Sequence, residues 1–422
     1  MPRDAGEVRW DRSTVSFVAA SFCALSGAFT LTTAVGKQVY DISRRELDLG
    51  FVGLAEFAPA LLLLLVTGTI ADRRSRKRVA SIAMLGQAAT CAAMALYVAS
   101  GPTAVGPIFA IAFAFGVARA FANPSTRALI ADVAGPTGLP WLVPRRSAAT
   151  QAAFIVGPVL GGTLYAVDPA APYVVAAALL AVGSFLITTV QVRTLQVAAP
   201  TKPGSRLQDT LDGMRFVRRS PVLLGALTLD LFAVLFGGAV ALLPAIAEER
   251  LGVGAVGYGW LRAAIGIGGG MTTLVLARRP LERHVGRTLL VAVAVFGAMT
   301  IVVGSTTVYA VAFGALVILS AADAVSVFIR STIVPLVTPP SKRGRVSAVE
   351  MVLIGATNEL GSFESGLTGE WFGAAPAVVI GGAATLVVAG TYWTRFVELR
   401  DLDAFPEPVR EAVPSDRAGG DE

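Results

Sequence analysis

Residues 79–118 run for 40 positions without an Asp, Glu, Lys or Arg. About 20 apolar residues in a helix are enough to cross the hydrocarbon of a bilayer. The run therefore holds two spans, divided at Ser100-Gly101-Pro102-Thr103, where glycine and proline mark a turn, with the second continuing to about Asn123. The pattern recurs along the chain. Residues 13–36, 147–167, 169–192 and 371–394 are free of charge; 49–71 hold only Glu56, 220–247 only Asp230 and 251–277 only Arg262. The run 288–322 breaks near Gly304-Ser305-Thr306-Thr307, and its second part continues through Asp323 and Arg330 to Pro335. Residues 347–368 form a span with three glutamates. The total is twelve, and the expected fold is an all-α membrane protein. Composition agrees: 15% of residues are charged, against about 25% in soluble domains. The first span is too long for a cleaved signal sequence.

Several classes drop out. Cys23 and Cys91 sit in apolar runs, so no disulfide frame or Cys-based metal site is expected. His284 is alone and cannot build a histidine-ligated metal site. No metal or cofactor is expected. The formal charge of +6 is explained by placement. With the N-terminus in the cytoplasm, 28 of the 35 Lys and Arg fall in cytoplasmic segments and 5 on the other side, Lys37, Arg44, Arg45, Arg250 and Arg262. By the positive-inside rule, both termini face the cytoplasm of a cell (inner) membrane. The cations mark topology and meet lipid headgroups; nucleic acid is not an expected partner.

The loop 193–220 separates two six-span halves, 1–192 and 221–394, with a tail at 395–422 expected to lack fixed structure. Weak self-similarity at an offset near 204 supports the division: Gly157-Pro158-Val159-Leu160-Gly161-Gly162 maps onto Gly361-Ser362-Phe363-Glu364-Ser365-Gly366, and Arg119 onto Asp323. Two halves around a central cavity suit a secondary transporter.

Gly68-Thr69-Ile70-Ala71-Asp72-Arg73-Arg74-Ser75-Arg76-Lys77-Arg78 resembles the G-x-L-A-D-R-x-G-R-K signature of the major facilitator superfamily, in its position after span 2. Ser75 stands where that family most often has glycine, and a turn with positive φ would be strained there. Gly68 permits close helix approach, Asp72 suits a helix end, and Arg73, Arg76 and Lys77 are expected to reach carboxylates across the cytoplasmic face as a gate; a plain basic loop is the alternative. Gly157-Pro158-x-x-Gly161-Gly162 is similar to the G-P-x-x-G-G antiporter signature of the superfamily's exporters, and physically it is a proline kink on a close-packing small-residue face. Gly116 to Pro124 and Asn358 to Gly366 resemble elements of the enterobactin-exporter-like branch in spans 4 and 11.

Intramembrane charges are costly, about 2.5–3.5 kcal/mol on insertion scales, and usually face a cavity or a partner. Glu56, Arg119, Asp230, Asp323, Arg330, Asn358 and Glu359 are the candidate coupling and substrate groups. The resemblance implies a proton-coupling role for Arg119; a structural pair with Glu56 is the alternative. Asp323 and Arg330, seven apart, share a helix face, and each is expected to find a partner on another helix. Arg262, Arg330 and Glu350 are placed at headgroup depth. Tyr40, Phe57, Phe232, Phe236 and Phe328 either line a substrate surface or pack against lipid. There is no phosphate-binding loop and no buried nucleophile–histidine pair, so neither an ATP-driven pump nor an enzyme is expected. The resemblance implies a proton-coupled exporter of a bulky amphipathic small molecule, a siderophore or a macrolide-like drug; a receptor or scaffold without turnover is the alternative. The sequence does not fix the oligomeric state, and a monomer is the expectation.

Overall fold

The computed structural model describes residues 11–63, 67, 74–192 and 205–407. Twelve main helices follow in order: α1 Arg12–Ser43, α2 Glu46–Leu62, α3 Arg76–Ala99, α4 Gly106–Gly135, α5 Thr137–Val167, α6 Ala171–Thr189, α7 Pro221–Phe236, α8 Ala255–Arg278, α9 Val285–Ser305, α10 Tyr309–Val337, α11 Arg343–Phe372 and α12 Ala374–Arg395. Asp11 starts α1: its Oδ1 accepts the Thr14 N–H at 2.8 Å, and its own N–H donates to Thr14 Oγ1 at 3.2 Å. Such reciprocal caps satisfy donors that a helix start leaves free. The turn expected at 100–103 is present, with Gly101 at φ 71°. Gly135, at φ 66° and followed by Pro136, breaks α4 from α5.

Nine helices among the described residues are long and apolar enough to cross a membrane alone. The remaining three main helices are α2, α7 and α11. The described part of α2 has 17 residues. α7 passes only together with the end of the helix Ser205–Arg219, from which it turns by 105°. α11 carries charges along its length. Several helices outrun their apolar stretches, α4 to Gly135 and α5 from Thr137. Charge marks where the lipid should end, whereas backbone hydrogen bonding continues until a residue such as Gly135 interrupts it.

The tail expectation is corrected in part. Val397–Arg400 is helical, and the N–H groups of Val285 and Gly286 donate to Asp403 O at 3.2 Å and Leu402 O at 2.9 Å. The tail thus satisfies two of the donors left free at the start of α9. Phe405 lies edge-on to Phe328, 6.1 Å between centroids. The 193–220 loop likewise contains the helix Ser205–Arg219. Residues 193–204 and 408–422 lie outside the described residues.

In one bundle α1 packs on α5 and α6, α3 on α4 and α6, and α2 on α4; in the other α8 and α9 pack on α10, α9 on α12, and α7 on α11 and α12. Two seams join the bundles, α5 with α8 and α2 with α11. At the first, a Cβ on Gly162 would lie 2.3 Å from Ala255 O and 2.8 Å from Gly259 Cα; at the second, a Cβ on Gly366 would lie 2.9 Å from Glu46 O and 3.1 Å from Gly50 Cα. Gly162 and Gly366 are counterparts at the 204-residue offset, and each meets residues four apart on the opposite bundle. The end of the molecule where the chain passes from α1 to α2 and from α7 to α8 is called the distal end below; the described termini lie at the other, terminal end.

Candidate functional site

Close packing of α4 on α2 builds the first charged cluster. A Cβ on Gly116 would lie 2.2 Å from Glu56 O. One turn further, Arg119 Nη1 sits 3.2 Å from Glu56 Oε2. The Glu56 side chain is 9% exposed and that of Arg119 44%, so the pair keeps one open side. Glu359 reaches in from α11: its Oε2 would stand 2.6 Å from a Cβ on Gly53, one turn before Glu56. Arg262 of α8 donates to Tyr258 Oη at 3.1 Å and acts electrostatically on Glu56. Two carboxylates and two guanidinium groups therefore converge from both bundles. Among the described residues Glu359 has no hydrogen bond or ion pair. Asn358, about 100° around the helix from Glu359, is exposed.

The second cluster lies within the other bundle. Arg330 Nη1 of α10 is 2.6 Å from Asp230 Oδ2 of α7, and Arg330 Nε donates to Ser326 Oγ at 3.4 Å. Arg330 is 3% exposed and Asp230 7%. The long side chain of Arg330 is drawn to a buried carboxylate on another helix. Asp323 shares the α10 face, as the spacing required, and lines a small cleft with Asp230, Ser326 and Phe296.

Sequence reasoning missed a third group, at the distal end. Lys37 of α1, 8% exposed, bonds Asp41 one turn on and Glu248 Oε2 at 2.7 Å across the bundle boundary. Arg44 also bonds Glu248, and Tyr40 bonds Glu249. Tyr165 Oη of α5 donates to Asp41 Oδ2 at 2.8 Å. Arg45 Nη2 meets Glu370 of α11 at 3.0 Å. Burial opposes ionisation of Glu248, but the hydrogen bonds from Lys37 and Arg44 outweigh it and hold its carboxyl below the usual range. Lys37 and Arg44 had served only as topology markers. The i,i+4 spacing of Lys37 and Asp41 inside a long helix was the available signal. Tyr40 is buried in this network and is therefore neither substrate-lining nor lipid-facing.

The basic loop at the terminal end is only partly described. Gly68, Asp72 and Arg73 lie outside the described residues. Ser75 has φ −59°, so the expected strain is absent. Arg76 Nη1 binds Asp132 of α4 at 2.9 Å, and Lys77 Nζ donates to Val190 O at the end of α6 at 2.7 Å. Both bonds stay within one bundle in this conformation, where the buried Asp132 carboxylate and a free carbonyl at the end of α6 hold these two residues. Gly157, Pro158, Gly161 and Gly162 form the α5 packing face; a Cβ on Gly157 would lie 2.5 Å from Phe29 Cβ, and one on Gly161 2.9 Å from Thr30 O. His284 is exposed at the start of α9, 3.7 Å from Asp403. No group of three or more potential metal ligands occurs among the described residues.

Two helical bundles joined by close glycine seams, with charged groups where they meet, define a membrane transporter fold. The sequence matches the Major Facilitator Superfamily over residues 17–362. The chain belongs to this superfamily of transporters. It is 24% identical over 365 residues to the uncharacterized MFS-type transporter YfiS of Bacillus subtilis (strain 168), covering 83% of this chain and 84% of that one. Among solved structures it resembles a POT family transporter in complex with 5-aminolevulinic acid (TM-score 0.74, 10% identity, 93% and 98% of the chains). It also resembles the nucleoside transporter NupG (TM-score 0.70, 15% identity, 92% and 98%). A third is a bacterial homolog of the human lysosomal transporter Spinster, inward-facing and occupied (TM-score 0.72, 13% identity, 92% and 97%). At these identities the likeness concerns the fold.

Proposed function

We propose that the chain is a proton-coupled exporter that moves a bulky amphipathic small molecule, of siderophore or macrolide-like type, by alternating access. The terminal end faces the cytoplasm of the cell membrane, and the chain works as a monomer. The observation that carries the reading is the meeting of Glu56, Arg119 and Glu359 at the junction of the two bundles. Charge is kept in a low-dielectric interior only where it has a partner or a task, and here it is drawn from both sides of the boundary that a rocking transporter opens. The half-open Arg119 offers a fixed cation to a substrate. The outward direction rests on the Gly157–Gly162 face. The Lys and Arg distribution supports the orientation.

Efflux is tested in everted vesicles with an imposed proton gradient, across a panel of catecholate siderophores and macrolides. Accumulation that collapses with a protonophore is expected for at least one compound, and no gradient-dependent movement of any compound removes the reading. A reporter inserted at Ser205 is expected on the cytoplasmic side; a periplasmic result overturns the orientation.

A further inference from the structure

We propose that the coupling proton is carried inside the second bundle, at the Asp230–Arg330–Asp323 cluster, with Asp323 as the group that takes it up and releases it. This rests on the proton-coupled reading above but moves the site away from Arg119, where the family resemblance would put it.

The first argument is a count of charges around one cation. Asp230 of α7, Asp323 of α10 and Glu350 of α11 all interact with Arg330. Arg330 is committed to Asp230 at 2.6 Å. Asp323 has no hydrogen bond or ion pair among the described residues. It is half-buried and opens to the cleft it lines. Among the described residues the cation beside Asp323 already belongs to another acid, which leaves this carboxylate available to take a proton.

The second argument is what the cleft can ligate. Its oxygen-bearing side chains are Asp230, Asp323 and Ser326, and the rest of the wall is alanine, valine and Phe296. Hard metal cations ask for about six oxygen ligands, whereas a proton needs one. Among the described residues the packed neighbours add no further titratable group to the cleft: α9 presents Ala292, Val293 and Phe296 to it, and the Thr272 hydroxyl of α8 donates to Ala321 O at 3.2 Å. The charged groups nearest Asp323 are thus Asp230 and Arg330.

The third argument is location. Glu56, Arg119 and Glu359 lie between the bundles, where a substrate would pass. The Asp323 cleft is built from α7, α9 and α10 of one bundle, so a proton bound there need not be displaced by direct competition. In the step proposed, the Asp323 carboxylate accepts a proton from water on one side, forming its O–H, and returns it to water on the other; the Asp230–Arg330 pair stays ionised throughout.

The test uses the full chain in liposomes, with protons as the ligand. Infrared difference spectra across a pH titration report carboxylic acid groups directly. The wild type is expected to show a titrating carboxylic acid band that is the same in equimolar NaCl and KCl. Asp323→Asn is expected to lose that band, and Asp323→Glu to restore it at a shifted midpoint, which a merely structural role would not do. Retention of the full band in Asp323→Asn, or its displacement by sodium, overturns the proposal. The two readings fail separately. Loss of the band in Asp323→Asn, with no gradient-driven efflux of any compound by the wild type, keeps the proton site and removes the exporter. Gradient-driven efflux that survives Asp323→Asn keeps the exporter and removes the site.

Discussion

Replacing Glu248 by Gln removes one charge from the ion-pair network that closes the distal end and leaves its shape intact. Lys37 keeps Asp41 as a partner, so no bare ammonium is stranded. Arg44 is 56% exposed and can return to water. The cost therefore falls between an exposed pair, about 0.2–1 kcal/mol, and a buried pair broken on one side, about 3–5 kcal/mol. A loss of about 1–3 kcal/mol from the distally closed form is expected. That is a shift of about 5- to 150-fold in the balance of conformations. Spin labels on Thr103→Cys and Thr307→Cys, exposed in the distal loops of the two bundles, report the gap in a background lacking Cys23 and Cys91. Glu248→Gln is expected to raise a longer-distance population in pulsed dipolar spectra. An unchanged distribution refutes the claim that these bonds hold the distal end shut. The same network fixes a pH sign. The Glu248 carboxyl is held below its usual range, so its contribution is complete above the ordinary carboxylate value and fades as pH falls through the depressed one. The longer distance should stay rare at neutral pH and grow only in strongly acid buffer.

Arg330→Met strands buried Asp230 and is expected to cost about 3–5 kcal/mol, with most of it recovered when Asp230→Leu is added; thermal unfolding of the purified protein measures both. Gly162→Ala drives a methyl group into the Ala255 carbonyl and is expected to lower stability by about 1–3 kcal/mol; an unchanged unfolding temperature counts against the tight seam. Arg76→Ala breaks a pair confined to one bundle, so the melting temperature should fall while the distal distance distribution stays as in the wild type.

What could be read in the sequence depended on how local its cause was. The apolar runs declared themselves because each span answers to the bilayer alone. The Gly157–Gly162 face was legible because small residues four apart state their own packing. Glu56 and Arg119 stood out as charges in apolar helices, but 63 residues separate them, and only the approach of α4 at Gly116 joins them. The partner of Arg330 stayed hidden because spacing shows a helix face and not the Asp230 carboxylate waiting on another helix. Lys37 was hidden by its own usefulness: near a helix end it reads as a topology marker, and Glu248 is 211 residues away. The tail composition suggested a free segment, yet the donors at the start of α9 gave it somewhere to bind.

The two seams have a mechanical consequence. The closest backbone approaches between the bundles lie along two lines, Gly162 against Ala255 and Gly259, and Gly366 against Glu46 and Gly50. A rigid body held at two pivots keeps one easy rotation, about the axis through both. Sliding and twisting would drive backbone into backbone at one pivot or the other. Glycine at these points thus acts less as a spacer than as a bearing, and it favours rotation about that axis over other relative motions of the two bundles.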